Sequence, residues 1–408
     1  MDKKTVVIFG YGQRAHIYGE YIREFPEKYE VVSIIENNEE RFLLAKKEFN
    51  NVPIFKNYND FLNEHIKADL VIVSTQDKSH KEHAIAMMEN GYDLLLEKPI
   101  APNKQDCLDI YETSIKYNRR VYVCHVLRYS PFYSSIKEDL DSGIIGRIIA
   151  INASENVGYY HYAHSYVRGP WRNEKQSSPL ILAKCCHDMD IIRYLMDKKC
   201  ISISSYGELT YFKKDNAPLG SASYCSDCKV GECPFKAQKI YLSKAGHFFA
   251  NYFTTKEHTE ENILSALKKT NYDKCVFKSD NDVVDHQGTL LTFEDGTIAN
   301  HMVTAFSREI YRDIKIHGTK GELVGKMEDN SYTIKLFSGE TINRKIDISK
   351  ISVGQHNGSD FYMMEELYKE LNGIKGKGIT YLSVSIESHL MCFAAEESRL
   401  SNGQVVKL

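Results

Sequence analysis

Gly10, Gly12 and Ala15 fall directly after an apolar run, Thr5 to Phe9, and open an amphipathic stretch, so the chain begins as strand, tight turn and helix. Gly10 permits the turn, Gly12 lets the backbone approach a ligand, and Ala15 replaces a third glycine while staying small enough for helix to pack on strand. A helix N-terminus behind such a turn presents unpaired N–H groups and a positive dipole end to an anion. Gln13 and Arg14, first in that helix, are therefore candidate contacts of a pyrophosphate. About 20 residues beyond Ala15, the run Val31 to Ile35 ends in Glu36, placed to accept hydrogen bonds from an adenosine ribose. A free carboxylate there repels a 2′-phosphate and favours NAD. Arg14 and Arg41 lie near enough in sequence to weaken that preference, which keeps NADP as the alternative.

Strands and helices continue to alternate. Leu70 to Val73 closes at Ser74 and Thr75; His80 and Ala84 begin the next helix; Asp93 to Leu96 runs into Glu97-Lys98-Pro99; and Arg120 to Cys124 precedes His125, Arg128, Tyr129 and Pro131. This order predicts a parallel sheet covered on both faces, with ligands gathered at the carboxyl ends of its strands.

At 408 residues, 42% of them hydrophobic, the chain can fill two cores. The expected division is a dinucleotide-binding domain over 1–126 and an α+β substrate and oligomerisation domain over 127–408. A net charge of −3 without a basic block gives nucleic acid nothing to bind. No apolar run approaches a membrane span, and the first strand starts too close to Met1 for a signal peptide. A cytoplasmic protein is expected, with its ten cysteines as thiols or metal ligands instead of a disulfide framework.

These pieces together resemble the glucose-fructose oxidoreductase and inositol dehydrogenase family (Gfo/Idh/MocA). The resemblance rests on Gly10-x-Gly12-x-x-Ala15, Thr75 with His80 and Ala84, Glu97-Lys98-Pro99, Arg128-Tyr129-x-Pro131, Ser142-Gly143, Gly146-Arg147-Ile148 and His187-x-x-Asp190. Later come Asp295-Gly296, Gly318 to Leu323 and the Glu387 to Arg399 segment, so it spans nearly the whole chain. It implies a Rossmann domain followed by an α+β domain with a large, open, mainly antiparallel sheet that forms subunit interfaces, hence a homodimer or homotetramer. It also implies that Ser74, Thr75, His80, Glu97, Lys98 and Arg128 line the cofactor. Lys98 would lie near the nicotinamide and the reacting hydroxyl, where an ammonium stabilises the negative charge that develops on oxygen. His187 would be the general base, its imidazole kept free by Lys98 and Lys184.

Ser177 to Leu195 reads as one helix, with Lys184, His187 and Asp190 on a single face. Asp190 would hold the histidine tautomer or cap backbone. Many family members place an aspartate one turn before this histidine; here Ala183 stands there with Lys184 beside it. That departure leaves Lys184 to bind a substrate hydroxyl or carboxylate, or to assist Lys98, and it unsettles the substrate class more than the hydride chemistry. Tyr159 to Arg172 reads as a loop rich in aromatics, histidines and arginines, a mixture that suits sugars. His164, Arg168, Trp171 and Arg172, with Tyr129, are candidate substrate contacts.

Cys225, Cys228 and Cys233 lie in an insertion over roughly 211–263 of little initial periodicity. Cys275 could fold back as a fourth ligand, which suits a structural zinc that staples the loop; an iron–sulfur centre, free thiols and a local disulfide stay open, and Cys185 and Cys186 are expected to pack inside their helix. The expected function is NAD-dependent oxidation of a secondary hydroxyl of a sugar, cyclitol or sugar derivative. The alternatives are a redox glycosidase that oxidises, eliminates and re-reduces, and a non-catalytic sensor of the same fold, against which the presence of Lys98, His187 and Asp190 argues.

Overall fold

Short runs of Val, Ile and Leu between helices form a sheet buried on both faces. In the computed structural model, which describes residues 1–254, 256–349, 351 and 356–408, these runs are β1 (Lys4–Phe9), β2 (Tyr29–Ile35), β3 (Ile54–Phe55), β4 (Leu70–Val73), β5 (Leu94–Leu96) and β6 (Val121–Val123). All are parallel, in the order β3-β2-β1-β4-β5-β6. Strand order reverses between β1 and β4, the crevice where open α/β sheets bind ligands. Val6, Val7, Ile8 and all of β4 are buried, as a sheet flanked by helices requires.

The second sheet has nine strands: β7 (Ile148–Asn156), β8 (Cys200–Glu208), β9 (His286–Phe293), β10 (Ile298–Thr304), β11 (Tyr311–Gly318), β12 (Gly321–Lys326), β13 (Ser331–Leu336), β14 (Thr341–Lys345) and β15 (Val406–Lys407). Their order is β14-β13-β12-β11-β7-β10-β9-β8-β15, with β7 and β10 parallel and the other pairs antiparallel. One face packs on the helices Cys186–Met196 and Leu382–Leu400. The other leaves Tyr206, Leu290, Ile298, Met302 and Val324 exposed, side chains that the strand register places on one side.

The C-terminal segments return to the first sheet. Tyr381 bridges Tyr122, Leu382 and Ile386 join the apolar cluster around β4 and β5, and the helix Ser359–Leu371 lies against the first helix, α1 (Gln13–Glu24), where Tyr29 donates to the Met364 carbonyl.

Three local expectations are corrected. The single helix over Ser177 to Leu195 is two, Leu180–Ala183 and Cys186–Met196, broken at Lys184 and Cys185. Tyr159 to Arg168 is not a loop but a helical turn followed by a π-helical turn. The insertion carries the helices Ala237–Tyr241, Lys244–Ala250 and Glu260–Leu267, the last two capped by Ser243 and Thr259. Their apolar repeats are only one or two turns long, too short to stand out among the surrounding polar residues. Among the described residues no helix is long and apolar enough to cross a membrane.

Arg128 holds the junction of the two halves. Its guanidinium, buried just after β6, donates two bonds of 2.6 Å to the Asp190 carboxylate on helix Cys186–Met196. Arg128→Met is expected to leave that carboxylate buried without its partner and to cost about 3–5 kcal/mol. Urea unfolding checks this as a lower midpoint with an unchanged slope.

Candidate active site

At the crevice, Gly10 has φ +87°, and a Cβ there would meet the Ser74 carbonyl oxygen at 3.0 Å. Ser74 Oγ fixes the turn by donating to the Gly10 carbonyl at 2.8 Å. Nothing lies within 4 Å of a Cβ built on Gly12, the residue that precedes α1. No side chain caps that helix and no acid sits in its first turn, so its free N–H groups and positive end are left for an anion. Ala15 is buried against the sheet. At the end of β2 the Glu36 carboxylate accepts from the N–H groups of Tyr11 at 2.6 Å and Asn38 at 2.7 Å, which holds it at the mouth of the turn.

Other sequence candidates go elsewhere. Arg14 turns away from the glycine turn and donates to Glu97 at 2.7 Å and Asp360 at 2.6 Å, while Arg41 donates to the Asn251 carbonyl at 2.9 Å. Neither guanidinium is therefore placed as a free reader of a 2′-phosphate. Gln13, Arg41 and Asn251 line a cleft of about 350 Å³ between α1 and the insertion. Thr75 Oγ1 pairs with His83 Nδ1 at 2.9 Å. His80, fully buried, ties the Thr75 carbonyl to that of Pro99.

Glu97 and Lys98 follow β5. Burial opposes ionisation of Glu97, but Arg14 and the Tyr18 hydroxyl hold its carboxyl below the usual carboxylate range. Lys98 is half-buried, and its ammonium reaches across to donate to the Ala183 carbonyl at 3.1 Å. The broken helix explains why that carbonyl is available: the first ladder ends with Cys185 N–H on the Ile181 carbonyl, and the next begins at the Cys185 carbonyl, which accepts from Met189. His187 lies one turn beyond, its ring 5.7 Å from that of His125.

Lys184 leaves the helix to pair with Glu155 of β7 at 3.3 Å. Glu155 faces Arg312 across the β7–β11 pair and pairs with it, and Arg312 also donates to Asp188 at 2.8 Å. Burial pushes the Lys184 ammonium down, with Arg312 and Lys98 adding to the shift against the pull of Glu155. His161 was absent from the sequence candidates, although it stands three residues before His164. Burial holds its imidazole well below the usual range, and Lys184 and Lys98 deepen the shift. His125 is likewise held neutral by burial, Arg128 and Lys98. Asp190 spends both oxygens on Arg128, and burial pushes its carboxyl up.

The remaining candidates each make contacts within the protein. Tyr129 is buried against Thr380; His164 stacks on Tyr272 and bonds Tyr241; Arg168 donates to the carbonyls of Lys274 and Phe235. Arg172 forks onto Asp280. Trp171 Nε1 donates to Asp77 at 3.0 Å, and so fastens the second domain to the loop after β4. Cys185, Asp188 and His301 form a buried group with ligand-type atoms within 4.8 Å of one another, but Asp188 already serves Arg312.

The first sheet with its glycine turn and the second with its helices match two family models, "Oxidoreductase family, NAD-binding Rossmann fold" over residues 4–125 and "Oxidoreductase family, C-terminal alpha/beta domain" over residues 137–385. The chain belongs to the Gfo/Idh/MocA oxidoreductase family. It is an NAD-binding oxidoreductase of that family. Across 90% of its length it is 26% identical to the oxidoreductase YteT of Bacillus subtilis (strain 168), 88% of which is covered. Over 34% of the chain it is 30% identical to inositol 2-dehydrogenase 2 of Saccharopolyspora erythraea, covering 38% of that protein. Levoglucosan dehydrogenase in complex with NADH and levoglucosan superposes with a TM-score of 0.74 at 16% identity, covering 100% of this chain and 99% of that one. At that identity the likeness shows the fold.

If Lys184 supplies part of the field on His161, Lys184→Met raises the midpoint of the His161 ring resonances in an NMR pH titration. An unchanged midpoint would show that burial alone keeps the ring neutral.

Proposed function

We propose that this enzyme moves a hydride between NAD and a secondary hydroxyl of a sugar, cyclitol or sugar derivative, with Lys98 and His187 as its catalytic residues. The observation that carries the reading is the reach of Lys98 from the end of β5 to the Ala183 carbonyl, one turn before His187. The dinucleotide fits the residues present: an open approach over Gly12, an uncapped helix N-terminus, and a fixed carboxylate at Glu36. Gln13 and the N–H groups behind Gly12 would hold the pyrophosphate, and Glu36 the ribose hydroxyls. Engagement of Arg14 and Arg41 elsewhere supports NAD over NADP. The nicotinamide, when bound, accepts or returns the hydride. Lys98 holds the substrate oxygen and stabilises its growing negative charge. His187 takes the hydroxyl proton on an imidazole nitrogen and gives it back in reduction. Lys184 and neutral His161 bind neighbouring substrate hydroxyls, while Arg128 and Asp190 position the helix that carries His187.

The inositol 2-dehydrogenases and levoglucosan dehydrogenase among the similar proteins support a polyol or sugar substrate. The NAD-binding fold and the free thiols of its cysteines support a reducing, cytoplasmic setting. The apolar face of the second sheet supports a homodimer or homotetramer paired through it, with the domain division at residue 126.

Purified enzyme is expected to reduce NAD with at least one member of a panel of sugars and inositols, and to use NADP poorly. Lys98→Ala and His187→Ala should each lower kcat by about 10²–10⁴-fold while NADH still binds by fluorescence titration. Full turnover in both variants removes the assignment, and cleavage of aryl glycosides without added NAD replaces it with the redox glycosidase. Leu290→Lys with Met302→Lys should convert the oligomer to monomer in light scattering; a wild-type protein that is already monomeric overturns the sheet-paired assembly.

A further inference from the structure

The cysteine insertion plays no part in that chemistry, yet its geometry is specific. Cys225 N–H donates to the Asp273 carbonyl at 2.7 Å and Cys275 N–H to the Ser223 carbonyl at 2.9 Å, on either side of an antiparallel bridge between Tyr224 and Lys274. This pairing brings Cys275, some fifty residues away along the chain, beside Cys225. Two tight turns, closed by Cys228 N–H on the Cys225 carbonyl and Lys236 N–H on the Cys233 carbonyl, present the other two thiols. All four cysteines line one cavity of about 20 Å³, walled by Pro218, Phe235 and Phe277. That volume suits a single ion. None of the four is in a disulfide.

Charge gives a second, independent pointer. Arg168, 1% exposed, donates Nε to the Lys274 carbonyl at 2.7 Å, Nη2 to the Phe235 carbonyl at 2.6 Å and Nη2 to Cys225 Sγ at 3.5 Å. Its Nη1 has no hydrogen-bond partner among the described residues. A buried guanidinium needs a counter-charge, and the side chains that meet Arg168 are the Tyr241 hydroxyl, whose ionisation burial opposes, and the Cys225 sulfur. Thiolates supply that charge; thiols do not.

We propose that Cys225, Cys228, Cys233 and Cys275 bind one zinc ion as a structural four-thiolate centre, with Arg168 offsetting part of its negative charge. Binding releases the four thiol protons and forms four Zn–S bonds, with no change of oxidation state. Among the described residues no three of these sulfurs lie within 4.8 Å of one another, so the ion draws them in to bonds of about 2.3 Å. The centre fastens the insertion to the segment that leads into β9. Through Arg168 it also fixes the turn Ala163–Arg168, which follows His161 at the wall of the candidate active site.

The test is metal analysis of the full chain purified without a metal-affinity tag. One zinc per chain is expected, released by a mercurial reagent together with four thiols. Cys228→Ser and Cys233→Ser should lose the zinc, and Cys107→Ser, at a buried cysteine outside the cavity, should keep it. If the serine variants do not fold, mercurial release from the wild type decides alone. Folded, metal-free protein whose four thiols react freely overturns the proposal, as does iron with visible charge-transfer absorption.

Discussion

The contact on which the candidate site depends is the Lys98 ammonium on the Ala183 carbonyl. It joins the end of a parallel strand in one domain to the broken end of a helix in the other. A continuous helix would spend that carbonyl on its own ladder. The break frees it, and a cation at the C-terminal end of a helical segment is favourably placed. Breaking the helix also turns Lys184 toward Glu155 and lets a new helix start immediately before His187. One irregularity thus positions an ammonium, a second ammonium and an imidazole.

Electrostatics around this junction work by cancellation. Lys184, Arg312, Glu155 and Asp188 are buried together with two charges of each sign, and Arg128 meets Asp190 one turn further along. Balanced burial keeps each charge from carrying the full cost of leaving water. Lys98 adjoins the Glu97 carboxylate, which it helps to hold below the usual range, and its field also falls on His125 and His161 and helps to hold both neutral.

The fold was legible because its signals are local. Gly10, Gly12 and Ala15 follow an apolar strand, and the turn they predict is the turn observed. Alternating strands gave the parallel order, and the strands that pair over Asp295-Gly296 were readable from their own alternation. Side-chain destinations were not legible, because they are set by partners remote in sequence. Arg14 and Arg168 carry the residue types expected of ligand contacts, yet Glu97, Asp360 and the carbonyls of Phe235 and Lys274 claim them. Lys184 could be read as a helix-face residue only until Glu155, far away along β7, was in place to draw it out. His161 carried a signal, a histidine among aromatics with a second histidine three residues on, but the two part because His161 lies in the helical turn Tyr159–Tyr162 and His164 in the π-helical turn that follows.

The missing aspartate before His187 finds its physical counterpart in the same network. An acid one turn before the histidine, as in many relatives, would place a negative charge inside the helix that carries the base. Here that position is Ala183, its carbonyl receives Lys98, and the negative charges stand on either side: Glu155 on the strand beneath and Asp188 one residue beyond the histidine. Both are held by Arg312, whose place opposite Glu155 is fixed by the register of β7 with β11. That register thus sets where the Lys184 ammonium goes, while the Ala183 carbonyl receives Lys98.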